Sequence, residues 1–195
     1  AIEEYNKEHI KNAIFFDLDK NSNKKNNLAH GHFLPKIKDH EKSISAMGIS
    51  NTDRIVIYCN SDLISSCRAW FQFIYFGHNP KLISILNGGM KKWKLEGKKV
   101  TNLKTKIIPS KYKAKENNNM IKVKSQIKEN IKKKEFIVLD GRSENRFLGL
   151  ESEPRPGIKS GSIKGSKSLP LNKLIKKKDN TFLGKKNLKK IFNLK

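Results

Sequence analysis

Cysteine is scarce in this sequence: 195 residues hold two, Cys59 and Cys67. No second Cys pair or His pair completes a zinc-ligand spacing, so no metal is expected. A structural disulfide is not expected either. Two free thiols fit a reducing compartment, which makes the cytoplasm the expected location. Long apolar stretches are also missing. No run approaches the roughly 20 residues that span a bilayer, and no basic-then-apolar segment opens the chain, so no membrane partner is expected. Arginine is the third scarcity. Of 42 basic side chains against 18 acidic ones, for a net charge of +24, only Arg54, Arg68, Arg142, Arg146 and Arg155 are arginine. That charge invites a nucleic-acid reading. Base readout and bidentate phosphate contacts favour arginine, however, and the lysines are spread along the chain among many Asn and Ile, as biased codon usage would leave them. No nucleic-acid partner is expected, although a positive field would help a small anionic substrate.

What is present is a rhythm of short apolar runs and glycine-ended helices. Residues 2–10 are expected to form a short helix and 13–18 (AIFFDL) a buried strand. Residues 36–47, ending at Gly48, suit a helix with a C-terminal glycine. The β-branched run 54–59 (RIVIYC) fits a central parallel strand covered on both faces. The aromatic segment 65–77 suits a buried helix, 81–86 a strand, and Gly88 and Gly89 turn the chain into a further helix. Strand and helix alternating in this way predict an α/β fold with a parallel sheet. Residues 101–120 lose the pattern and read as a linker. A second unit follows, with a helix at 121–133, a strand at 136–140, a loop-rich region dense in Gly, Pro and charge, and a Lys-rich helix at 172–195. The expected domains are therefore 1–100 and 121–195.

Several segments resemble the tandem-domain rhodanese and thiosulfate/3-mercaptopyruvate sulfurtransferases. They are HIKNAIFFDLD (9–19), HFLP (32–35), MGIS (47–50), VIYCNSDLISSCRAWFQFIYFGH (56–78), ILNGGMKKW (85–93), VLDGRSENRFLG (138–149), EPRPGIKSGSIKGS (153–166) and SLPLNKL (168–174), and they occur in family order. The resemblance implies two rhodanese-like α/β domains, each a mostly parallel sheet flanked by helices. It also implies that the first domain lacks its opening strand and that the second is incomplete, stopping before the loop that bears the nucleophilic cysteine.

The family reaction passes sulfur through a cysteine persulfide, from 3-mercaptopyruvate or thiosulfate to cyanide or a thiol. A small anionic sulfur donor and such an acceptor are the implied partners. No cofactor is implied, and a monomer is expected. Arg146 matches the Arg that lines the family's active-site mouth, and Arg155 the position at which the mercaptopyruvate branch carries Arg. A planar fork suits a donor carboxylate. The competing reading has Arg146 pairing with Asp140 or Glu144 to brace the loop, and Arg142 is read as anchoring the strand end. Asp19 and His32 match a pair proposed to act as a proton relay, the alternative being a plain interface hydrogen bond. Cys59 stands at the strand end where active rhodanese domains place their nucleophile. Asp62 in its loop would raise a thiolate's pKa and repel anions, so a small buried hydrophobe is the stronger reading. Cys67 and the aromatics Trp70, Phe71, Phe73, Phe76 and Trp93 are expected in the core. The rival function is a non-catalytic rhodanese-like binding or regulatory protein.

Overall fold

Glycines punctuate the helices where a left-handed residue is needed to stop them. Gly48 (φ +73°) follows α2 (Ile37–Ala46), and Gly77 (φ +83°) follows α3 (Ile64–Tyr75). A residue without Cβ takes that conformation at no steric cost. The computed structural model describes residues 1–23, 33–61, 63–154 and 157–193. It divides into two units, Ala1–Asn118 and Asn119–Lys195.

The first unit opens with α1 (Ile2–Lys7) and continues through α2, β1 (Ile55–Ile57), α3, β2 (Ile83–Ile85) and α4 (Gly89–Leu95). Strands β1 and β2 pair in parallel, Ile55 against Ile83 and Ile57 against Ile85. The core is Ile44, Phe73, Ile83 and Tyr112, with Phe16, Met47, Ile55, Ile57 and Trp70 packed against it. Phe76 is fully buried as well. Polar groups that enter this core are bonded in part, and His40 Nε2, Ser66 Oγ and Gln72 Oε1 find no hydrogen-bond partner among the described residues. Gln72 donates to Asn21 O (3.1 Å) and faces His40 Nδ1 at 3.3 Å. His40 stacks on Phe76, with ring centroids 4.1 Å apart. Burial pushes its pKa down to about 4, because the charged ring cannot be solvated there.

Residues 13–18, expected as a strand, carry no β-ladder among the described residues. The Ala13 amide closes a turn onto Ile10 O (2.9 Å), and Phe16 packs on Phe73. Apolar content half-buries the segment, which has no neighbouring strand among the described residues. Residues 101–117 carry no helix or strand, yet they are no free tether. Thr101 bridges His9, Ser110 donates to Ser45 O (2.9 Å), and Lys115 donates to Phe76 O (3.0 Å). Tyr112 is 3% exposed. The reading of 101–120 as a linker is corrected accordingly: the buried tyrosine and the backbone bonds make the stretch part of the first unit.

The second unit contains α5 (Lys124–Lys133), β3 (Leu139–Asp140), α6 (Glu144–Leu148), β4 (Lys167–Ser168) and α7 (Lys185–Phe192). Strands β3 and β4 pair in parallel, Leu139 against Lys167 and Asp140 against Ser168. The turn into β4 repeats one from the first unit. Ile163-Lys164-Gly165-Ser166 closes with Ser166 N–H on Ile163 O (2.9 Å), as Ile10-Lys11-Asn12-Ala13 does. Gly165 and Asn12 both adopt positive φ, +84° and +66°; asparagine is among the few residues that tolerate this. Helix α6 was not anticipated in the loop-rich region. Ser143 caps it, its Oγ accepting from Arg146 N (3.4 Å). Glu144 sits in the first turn, and Gly149 (φ +77°) ends it.

Candidate active site

Helix α6 carries Arg146 one turn beyond Arg142, which stands just past the end of β3. Both guanidinium groups converge on Glu153, whose side chain is 3% exposed while each arginine is 26% exposed. Arg146 bonds it through one edge of its fork, with Nε donating to Oε1 (3.1 Å) and Nη2 to Oε2. Arg142 donates from Nη1 to Glu153 Oε1 (2.5 Å) and from Nη2 to Gly161 O (2.8 Å). Its Nε/Nη2 edge grips Asp140, at 2.9 Å from Nε to Oδ1 and 2.5 Å from Nη2 to Oδ2. Asp140 therefore fixes Arg142 at the strand end, and Arg142 in turn ties β3 to the loop at Gly161.

These contacts set the electrostatics. Hydrogen bonds from Arg146, then from Arg142, hold the Glu153 carboxyl below the ordinary carboxylate range. The bond from Arg142 does the same for Asp140. Arg142 is pushed upward chiefly by Asp140, and Arg146 by Glu153. Two cations and two carboxylates cancel, so the cluster is neutral as a group. Arg142 spends four of its five N–H donors on protein acceptors. Arg146 spends two, and its Nη1 has no partner among the described residues. The brace reading of Arg146 named Asp140 or Glu144 as partner; the partner is Glu153, seven residues on. Glu144 pairs instead with Lys173 (3.2 Å).

The other candidates divide. Arg155, His32 and Asp62 lie outside the described residues. Asp19 is exposed on a turn in which its amide donates to Asp17 Oδ1 (3.0 Å). Cys59 is half-buried at the end of the β1 run. Its carbonyl accepts from Met90 N (3.0 Å), and Ser61 Oγ lies 3.9 Å from its Sγ. Cys67 is half-buried on α3. Among the aromatics, Phe73 and Phe76 are buried, whereas Trp93 is half-buried, donating from Nε1 to Lys99 O (3.0 Å) under the Lys98 ammonium. Arg68 lies over the Phe71 ring at 5.6 Å, and burial lowers its pKa. Glu153 escaped the sequence reading. Its signal was the need of two neighbouring arginines for a shared carboxylate within a loop's reach.

Residues 1–96 match the protein-family model of the rhodanese-like domain. A thiosulfate/3-mercaptopyruvate sulfurtransferase from Arabidopsis thaliana is 34% identical over 98% of this chain and 60% of its own length. The chain contains a rhodanese-like domain and is a homologue of this sulfurtransferase. A 3-mercaptopyruvate sulfurtransferase from Homo sapiens is 33% identical over 90% of this chain and 58% of its own length. The crystal structure of SseA from Escherichia coli, described as a 3-mercaptopyruvate sulfotransferase with the rhodanese fold, has a TM-score of 0.86 at 22% identity. It covers 98% of this chain and 69% of that one. The likeness to SseA shows the fold: α/β, with parallel strands flanked by helices. The chain thus spans about 60% of the length of the curated relatives it matches.

Proposed function

We propose that this chain serves sulfur transfer from 3-mercaptopyruvate, or from thiosulfate, to cyanide or a thiol. Arg146 binds the acidic end of the donor, with Arg155 as its second contact. A cysteine thiolate attacks the donor sulfur. In 3-mercaptopyruvate the C–S bond breaks, its electron pair and the thiol proton pass to carbon, and pyruvate leaves; in thiosulfate the S–S bond breaks and sulfite leaves. The enzyme persulfide then passes its outer sulfur to cyanide as thiocyanate, or to a thiol, and the thiolate is regenerated. Neither Cys59 nor Cys67 is assigned this role.

The observation that carries this reading is the half-committed Arg146: one edge is locked on a buried carboxylate, while Nη1 is without a protein acceptor among the described residues. Two parallel N–H groups match a carboxylate or a sulfonate. The test is thiocyanate formation by the protein as encoded, with each donor and cyanide. The expected result is turnover in which Arg146→Ala raises the donor KM by about 10–100-fold, the value of a charge-assisted pair at 1.4 kcal/mol per decade. Absence of thiocyanate with either donor would favour a non-catalytic binding or regulatory protein.

A further inference from the structure

Arg146 and Arg142 face the same carboxylate but use it differently. Arg142 is nearly saturated by Asp140, Glu153 and Gly161 O, and so is fixed whatever else binds. Among the described residues the Arg146 guanidinium has one hydrogen-bonding anchor, Glu153. A guanidinium is a flat, rigid fork: gripping the Nε/Nη2 edge sets the plane and heading of the Nη1/Nη2 edge. Glu153 can hold that grip because it is itself immobilised. Its Oε1 also accepts from Arg142, and its side chain is 3% exposed.

We propose that Glu153 is a positioning residue for the sulfur donor, locking the Nε/Nη2 edge of Arg146 so that the adjacent Nη1/Nη2 edge meets the donor's carboxylate in a fixed orientation. This rests on Arg146 being the donor contact. Glu153 touches no donor atom. It removes the entropy that a long, half-exposed arginine would otherwise lose on binding. It also offsets the arginine's charge, so recognition of the donor depends on direction more than on net attraction.

The experiment compares Glu153→Gln with Arg146→Ala in the protein as encoded, reading KM and kcat for 3-mercaptopyruvate and the Arg Nε–H signals in NMR. Glutamine keeps the shape and one acceptor, but cannot serve both arginines as a bidentate carboxylate. The expected result is a KM raised about tenfold or more with kcat changed less than about twofold, and loss of the slowly exchanging Arg146 Nε–H signal. An unchanged KM in Glu153→Gln, with KM raised in Arg146→Ala, would overturn the role of Glu153 and leave the donor contact standing. An unchanged KM in both would overturn both. A measurement on the unsubstituted protein covers the case of a variant that does not fold. Pyruvate, the donor's skeleton without sulfur, is expected to shift the Arg146 Nη resonances while Nε–H stays protected. If pyruvate instead releases Nε–H, the donor displaces Glu153 and the proposal fails.

Discussion

Replacing Tyr112 by alanine tests whether residues 101–117 belong to the first unit. The ring is 3% exposed and lies parallel to His78 (6° between planes, centroids 6.0 Å apart), with edge contacts to His40 (5.7 Å) and Phe73 (6.5 Å). Removing a buried aromatic costs about 3–5 kcal/mol through lost burial and the cavity left behind. With a urea m-value of about 2 kcal/mol/M, the unfolding midpoint should fall by roughly 2 M. Tyr112→Phe removes only the hydroxyl contact to His78 Nδ1, which at 3.4 Å is long, and should cost less than about 1 kcal/mol. The assay is intrinsic fluorescence. The chain has two tryptophans, Trp70 and Trp93, both in the first unit, so emission reports that unit alone. A loss below about 1 kcal/mol for Tyr112→Ala would mean that the stretch merely lies on the surface, and the assignment would be wrong.

Acid should weaken the same unit through His40. Its folded pKa of about 4 lies below the ordinary 6.5, so the unfolded chain takes up the proton first. Stability is whole above about pH 6.5 and drains as pH falls toward 4, by about 2 kcal/mol at pH 5. His78, also lowered by burial, acts in the same direction. His40→Gln should flatten most of this slope in urea titrations at pH 7 and pH 5; an unaltered slope would refute the assignment. Gly48→Ala should lower the melting temperature of the first unit, at a cost of about 1–3 kcal/mol. The position has φ +73°, and the added Cβ would sit 2.5 Å from Ile108 O. A neutral result would mean that residues 107–108 move aside freely.

Much of the architecture was legible because its determinants are local. Gly48 and Gly77 stop helices where a left-handed residue is required, and β-branched runs mark β1 and β2. Misjudgements arose where a distant partner decides. Residues 13–18 have the composition of a strand but no strand neighbour among the described residues, while the unpatterned 101–117 became structural through one tyrosine and scattered backbone bonds. Helix α6 was hidden by its shortness, although Ser143, Glu144 and Gly149 spell its cap, first turn and stop. At the site, Arg146 was singled out by its resemblance and by the rarity of arginine. Its true partner could not, since Glu153 reaches it only because Gly149 and the following loop fold back. Nothing local distinguishes that carboxylate from Glu144 or Glu151.

The cancelling charges around Glu153 separate two events that a basic protein usually merges. A neutral cluster exerts little pull beyond a few ångströms, so the long-range draw on an acid comes from the lysine-rich exterior, where dissolved ions damp it readily. With the donor contact proposed for Arg146, added salt should therefore slow the encounter while leaving residence there nearly constant, and trimming surface lysines would alter how often an acid arrives without altering how long it stays.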